Sequence, residues 1–313
     1  MILTVTPNPA VDKTVYLGKT LQVGGKNRAD RWDCVPGGKG INVSRAVKTL
    51  GGETMALVIV GGRSGRHVVD MIQQQDGNLC VPAWVEGATR TITTVLEEPH
   101  RRQTAVFEPG PDVTEEEAGK VVALTEDALQ HAGVLTLNGT VPGRAIETLY
   151  ARLIEKARAA DVPVVLDTYG SECEAALPLR PHMFKPNVAE AEALLGRTLD
   201  STRACWDAVD AFHARGVPLV VLSLGKDGAL VSREGEQFHA VPPEIDEVNP
   251  VGSGDALVAG FALGIERGLP LQDMARLGIA AGAANATCWN IGHFAPDTVK
   301  DLLPQVRIEV RRA

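Results

Sequence analysis

Three features of the sequence predict an α/β fold, with a mainly parallel central sheet covered by helices on both faces. From about residue 112 onward, amphipathic stretches of helical period alternate with short apolar runs. Those runs are too short and too continuous to be half-exposed, so they read as strands buried on both sides. Two segments, residues 11–35 and 82–108, break the rhythm with β-branched and aromatic residues in rough alternation with polar ones.

Residues 2–6 (ILTVT) and 55–60 (MALVIV) supply the first strands of the buried kind. The later units are EEEAGKVVALTEDALQHA before GVLTLNG, AIETLYARLIEKARAA before VPVVLDTYG, and ACWDAVDAFHARG before VPLVVLSLG. Each is a helix followed by a parallel strand. The two exceptional segments, interrupted by glycines and by the turn-like EEPHRRQ, read as antiparallel hairpins. They either pair into a small sheet standing off the body or extend its edges. No repeat, linker or low-complexity segment interrupts the chain.

Composition narrows the function. The 313 residues suit one large core or two unequal ones. Thirty-one Lys and Arg against 39 Asp and Glu leave a net charge of −8, the wrong sign for a chain whose main partner is nucleic acid or an anionic membrane. Any anion must be held by a local cluster. Cys34, Cys80, Cys173, Cys205 and Cys288 are scattered and form no C-x-x-C pair, so neither a disulfide framework nor a zinc site is indicated. With no apolar run approaching a membrane span and no leader-like start, a cytoplasmic protein is expected.

Four motifs carry possible chemistry. The first is Val35-Pro36-Gly37-Gly38-Lys39-Gly40-Ile41-Asn42-Val43-Ser44, a glycine turn running into a helical pattern. Such a turn lets a ligand approach the backbone, and the free N–H groups of the helix end favour an anion; it can equally serve only the fold. It lacks the third glycine of a dinucleotide fingerprint, and no Gly-Lys completes a P-loop. The second is Asn249-Pro250-Val251-Gly252-Ser253-Gly254-Asp255, followed by a helix with few polar residues. Consecutive amides and one carboxylate at a helix start could hold charge on a transferred phosphoryl group. Asp255 is also a good first-turn acid, and there the helix end should lower its pKa and make it a weak base.

The third motif, Lys185-Pro186-Asn187-Val188-Ala189-Glu190, has the spacing of a capping box, with a site for hydrated magnesium as the functional alternative. The fourth, Ser223-Leu224-Gly225-Lys226-Asp227-Gly228, makes a tight turn after a strand and is explained by a hairpin alone.

Taken in order, TPNPAVD, PGGKGINVSRAV, KPNVAEAEALLG, LSLGKDGAL and VGSGDALVAGF resemble the ribokinase-like sugar kinases of the PfkB family across nearly the whole chain. T-x-NPAxD and GGKGINV are most similar to the branch that phosphorylates phosphorylated ketohexoses. The resemblance implies a three-layer α/β/α core (residues 1–10, 36–81 and 109–313), a small β lid (11–35 and 82–108), ATP and magnesium. It implies Asp255 as base and Gly252, Ser253 and Gly254 as an anion hole. Asp12, Gly37, Gly38, Lys39, Asn42, Arg90 and Asn138 match the sugar-phosphate side. Lys185, Asn187, Ser223, Gly225, Gly228, Gly282 and Asn285 match the nucleotide side, with Glu190 and Asn187 at the metal. Two copies could pair through the lid.

Two places depart from the family pattern. Asn249-Pro250 stands where an Asp-Thr or similar hydroxyl-bearing pair is usual, which bears on any monovalent-cation site and on phosphate positioning. Leu137-Asn138-Gly139-Thr140-Val141-Pro142 replaces a Ser-Gly-Ser-Leu-Pro element, so the sugar stays open. The expected reaction is ATP-dependent phosphorylation of a ketohexose phosphate, fructose 1-phosphate first. The alternatives are tagatose 6-phosphate or fructose 6-phosphate as substrate, a non-catalytic sugar-phosphate or nucleotide sensor on this fold, and an NAD-linked oxidoreductase, which the missing fingerprint disfavours.

Overall fold

The computed structural model describes residues 1–311. In chain order the strands are β1 (Ile2–Thr6), β2 (Ala10–Leu17), β3 (Arg31–Gly37), β4 (Thr54–Gly61), β5 (Leu79–Val85), β6 (Arg90–Glu97), β7 (Arg102–Phe107) and β8 (Val134–Asn138). They continue as β9 (Val164–Asp167), β10 (Met183–Phe184), β11 (Leu219–Ser223), β12 (Ala229–Arg233), β13 (Glu236–Val241) and β14 (Arg307–Val310). The helices are α1 (Lys39–Thr49), α2 (Gly62–Gln74), α3 (Glu115–Leu129), α4 (Leu149–Ala159), α5 (Ser171–Ala176), α6 (Val188–Leu195), α7 (Thr202–Ala214), α8 (Ser253–Glu266), α9 (Leu271–Ala286) and α10 (Pro296–Leu302).

Ten strands form one sheet in the order β14-β13-β12-β11-β10-β9-β8-β1-β4-β5. From β5 to β11 all neighbours are parallel, as the helix–strand alternation predicts, and β12 to β14 close the edge antiparallel. Side chains alternate between faces, so each buried strand feeds two cores. Leu3, Leu135, Leu166, Val220 and Leu222 pack with α3, α4 and α7 on one face. Ile2, Val134, Val165, Leu219 and Val221 pack with α1, α8 and α9 on the other. A smaller cluster joins Val58, Val60 and Ile41 to α2.

The irregular segments pair into a separate sheet, β3-β2-β6-β7, rather than extending the edges of the large one. It consists of two antiparallel hairpins joined by the parallel pair β2–β6. The second segment divides, however. Residues 79–85 are β5 of the large sheet, paired in parallel with β4, so the excursion runs over 90–107 rather than 82–108. Cys80, Val81, Ala83 and Val85 keep enough apolar surface to pack there, and Pro82 is tolerated because β5 is the sheet's edge. Asp12, Thr14 and Tyr16 on β2 share a face with Ile92 and Thr94 on β6, and the opposite face leaves Trp32 and Val106 exposed.

Helices α8 and α9 meet through glycines. A Cβ on Gly260 would lie 2.5 Å from Gly278 Cα, and one on Gly278 would lie 2.8 Å from the Phe261 ring. This contact fixes the axis of α8, whose first turn carries Asp255. Because the obstacle is backbone, Gly260→Ala should destabilise the protein by about 2 kcal/mol or more, read as a lowered urea midpoint with unchanged slope. An unshifted midpoint would mean the helices separate without penalty.

Candidate active site

The carboxyl ends of the parallel strands and the inner face of the small sheet enclose a cavity of 1440 Å³. Of the residues expected at the site, all but Asn138 and Asn285 line it.

Asp255 occupies the first turn of α8, whose N-cap is Gly252 in a left-handed conformation (φ 82°). Gly252 is required there twice over, since a Cβ would also collide with Ile291. The amides of Gly252, Gly254 and Asp255 have no partner among the described residues, whereas the Ser253 amide donates to the Pro250 carbonyl at 3.2 Å. Thus the anion hole narrows to the glycine amides and that of Asp255, and Pro250 contributes a carbonyl acceptor to the turn. Asn249 braces the same turn: its Oδ1 accepts from the Val251 amide at 3.2 Å and its Nδ2 donates to the Trp289 carbonyl at 3.1 Å.

The Asp255 carboxylate is buried and accepts from Asn42 Nδ2 at 2.8 Å. Burial, then the nearby Asp167 charge, raise its pKa from 3.8 to about 6, against Lys39, Asn42 and Lys185. The lowering expected from the helix end is overridden, because dehydration and a like charge outweigh the dipole. Asp255 is therefore a competent base near neutrality.

Asp167, at the end of β9, lies 3.0 Å from Lys185 Nζ and 3.5 Å from Lys39 Nζ. Burial opposes its ionisation, but the two ammonium groups win and hold it below its ordinary value. Lys39 Nζ is also 3.8 Å from Glu190 Oε1. Burial works against the Lys39 charge, and Asp167, Asp255 and Glu190 outweigh it, keeping the amine protonated well above the usual lysine range. The structure thus sets Lys39 amid the carboxylates beside the base, not only on the sugar side.

Arg90, on β6, donates through Nη2 to the Asn8 carbonyl at 3.0 Å, while its buried Nε has no partner. Asp12 is half-buried facing Arg45 and Arg90; burial raises its pKa and the two guanidiniums pull against that. Asn138 ends β8 with both side-chain polar atoms buried and unpartnered, away from the cavity wall. Asn285 also points elsewhere: its Nδ2 donates to the Val251 carbonyl at 2.9 Å and its Oδ1 accepts from the Gly292 amide at 2.8 Å. These bonds brace the turn at the start of α8.

Asn187 and Glu190 form a full capping box on α6, so the Asn187 oxygen and Glu190 Oε2 are committed to backbone amides. Glu190 Oε1 and the Asp167 carboxylate remain facing the cavity. Ser223 hydrogen-bonds the Pro186 carbonyl at 3.3 Å, tying the third and fourth motifs together. Gly225 and Gly228 turn the β11–β12 hairpin, and Gly282 lets α9 approach Ser253, a Cβ there lying 3.1 Å from its carbonyl.

Sequence reasoning missed Asp167, Arg45 and the loop Trp289–His293, all of which line the cavity. Asp167 had a signal, a carboxylate ending an apolar strand. Arg45 had none, because an Arg in an amphipathic helix looks like surface.

The raised pKa of Asp255 has a stability consequence. The unfolded chain releases this proton near 3.8 and the folded protein near 6, so the charge destabilises the fold above pH 6 and the penalty disappears as pH falls toward 4. Asp255→Asn should be more stable than the parent at pH 7.5 by on the order of 2 kcal/mol, with the difference closing at pH 4.5. Urea unfolding at the two pH values checks this. A variant less stable at pH 7.5 would contradict the strain.

Comparison with known proteins agrees with this geometry. Residues 6–297 match the pfkB family carbohydrate kinases. The 1-phosphofructokinase of Bacillus subtilis is 32% identical over 308 residues, covering 98% of this chain and 99% of that one. The solved structure of phosphofructokinase-2 from Escherichia coli in its tetrameric inhibited form is 27% identical, with a TM-score of 0.89 over 97% of this chain and 98% of that one. Arabidopsis thaliana ribokinase, complexed with ribose and ATP, shares the fold at 19% identity, with a TM-score of 0.78 over 96% and 98%. The chain belongs to the pfkB family of carbohydrate kinases, enzymes that transfer a phosphoryl group to a sugar hydroxyl, and it has their ribokinase-like α/β fold with a small separate sheet over the site.

Proposed function

We propose that this kinase phosphorylates a ketohexose phosphate with ATP, and that fructose 1-phosphate, giving fructose 1,6-bisphosphate, is its substrate. The observation that carries the reading is Asp255, a buried carboxyl with a pKa of about 6 beside free helix-start amides. Asp255 accepts the proton of the attacking hydroxyl, and the amides of Gly252 and Gly254 receive the charge of the transferred group. Lys39 and Lys185 lie near enough to Asp255 to favour its charged form. A sensor on this fold has no use for a carboxyl so tuned.

A phosphorylated sugar is supported by the cation supply on the small-sheet side. Arg90 keeps a buried, unpartnered Nε at the cavity, and guanidinium pairs well with phosphate. The similarity to a 1-phosphofructokinase favours fructose 1-phosphate over fructose 6-phosphate or tagatose 6-phosphate. The small sheet acts as a lid that excludes water from the base.

Magnesium fits the site in a limited way. Among the described residues no three acidic, His or Cys side chains form a metal cage. Glu190 Oε1 and Asp167 are the oxygens that would hold the ion, which suits a cation that keeps most of its water. Bound with ATP, it would neutralise phosphate charge.

An ADP-release assay across fructose 1-phosphate, fructose 6-phosphate, tagatose 6-phosphate, fructose, ribose and adenosine tests the substrate. Turnover confined to unphosphorylated sugars would overturn it. Asp255→Asn should lower kcat by on the order of a hundredfold or more with the fold retained, and near-full activity would reduce Asp255 to a first-turn acid. Arg90→Ala should raise KM for the sugar phosphate roughly ten- to a hundredfold and leave that for ATP nearly unchanged. Lys39→Ala, which disturbs three carboxylates at once, should lower kcat as well. Equal KM losses for both substrates in Arg90→Ala would remove the case for a phosphorylated acceptor.

A further inference from the structure

Arg45 lies on α1, three residues after Asn42, and is 2% exposed. Its guanidinium makes five hydrogen bonds, one for each N–H. Nε and Nη2 reach the two oxygens of Asp76, each at 2.9 Å, and Asp76 in turn meets His293 at 3.3 Å. Nη2 also donates to the Pro36 carbonyl at 2.9 Å, just before the glycine turn of the sugar side. Nη1 donates to the Ile291 carbonyl at 2.9 Å and to Asn42 Oδ1 at 3.2 Å.

The last bond matters for Asp255. An amide has one accepting and one donating end, and Arg offers only donors. With Oδ1 turned to Arg45, Asn42 must present Nδ2 on its other side, where it meets Asp255 Oδ2 at 2.8 Å. Asp255 Oδ1 is then left for a substrate hydroxyl. The Ile291 contact acts on the other half of the site, because the Ile291 side chain fills the space beside Gly252 at the anion hole. One buried cation therefore joins the sugar-side turn, the Asp255 carboxyl and the anion-hole turn.

We propose that Arg45 is a positioning residue for phosphoryl transfer: by fixing the orientation of the Asn42 amide it aims Asp255, and by holding Ile291 it sets the anion hole in register with it. The proposal rests on Asp255 being the base. The competing account is that Arg45 and Asp76 form an ion pair serving only the fold, which apolar residues of like volume replace without loss.

The experiment measures kcat and both KM values for Arg45→Lys, Asn42→Ala, their double variant, and the paired Arg45→Met/Asp76→Leu, with Asp255→Asn in parallel. Lysine keeps the charge but cannot make the fork that reaches Asp76, Asn42 and Ile291 together. Arg45→Lys should fold and lose about tenfold in kcat, with KM for ATP nearly unchanged. Arg45→Met/Asp76→Leu should fold and lose kcat at least as much. Adding Asn42→Ala to Arg45→Lys should cost little further kcat, because both act through one contact. Parent-like kcat in either folded Arg45 variant, additive losses in the double variant, or failure of both Arg45 variants to fold would each overturn the positioning role. If Asp255→Asn retains full kcat, the base assignment itself falls, a result separate from any Arg45 outcome.

Discussion

The site depends on how one buried carboxylate, Asp167, is compensated. Removing a carboxylate from water is unfavourable unless cations stand against it, and Lys39 and Lys185 do so at 3.5 and 3.0 Å. Their two charges match the pair Asp167 and Asp255 when both carboxyls are ionised, but they do not treat the pair equally. Asp167 is held below its ordinary value, and Asp255, farther from both ammoniums and repelled by Asp167, is pushed up. One carboxyl is locked as an anion and its neighbour is left near its titration point. That asymmetry raises the proton affinity of a residue that a helix start alone would have lowered.

Three remote parts of the chain must meet for this to happen. Asp167 comes from the end of β9, Lys39 from the start of α1 and Asp255 from the start of α8. The parallel strands bring their carboxyl ends, and with them Asp167, to one side; α1, entered from β3 of the small sheet, and α8, entered from the loop after β13, start over that same edge. Glycines allow the final approach. Gly38, at φ 133°, has Thr6 where a Cβ would stand, and Gly252 has Ile291. These residues serve backbone clearance first, and the free amides at the starts of α1 and α8 are what that clearance leaves for a ligand.

The buried parallel strands were legible because continuity reports burial directly, as in ILTVT, VVLD and LVVLS, whereas the residues alone left the two hairpin segments open between a separate sheet and added edge strands. Residues 82–85 were misassigned to the excursion because an edge strand carrying Pro82 and Trp84 has the same half-polar pattern as a lid hairpin. At the site, the motifs named residues that nearly all line one cavity, and the capping-box spacing of Asn187 and Glu190 is met in full. What local reading could not show was charge balance. The pKa of Asp255 depends on Asp167, 88 positions away in the chain, and the part played by Lys39 depends on carboxylates from β9, α6 and α8. The bracing bonds of Asn285 were not legible for the same reason, since its contacts with Val251 and Gly292 exist only once α9 and two loops have met.

The same balance explains why the small sheet belongs with the large one. Three groups, Lys39, Asp167 and Asp255, shift one another's protonation through close charge contacts at low exposure to water, and an open cleft would let solvent screen those contacts and return the groups toward their ordinary behaviour. Strands β2, β6 and β7 put Thr14, Tyr16, Ile92, Thr94 and Phe107 over the opening, a mixed and mostly uncharged face. The small sheet brings few charges to the cavity, namely Asp12, Asp33 and Arg90. On the proposed roles, a cover carrying Arg90 beside Asp12 could grip a polar ligand while it limits the water reaching Asp255. With Asp255 as the proposed base, such a cover would couple the chemistry to the presence of substrate, because a buried carboxylate is a stronger base when the cleft around it is filled and dry.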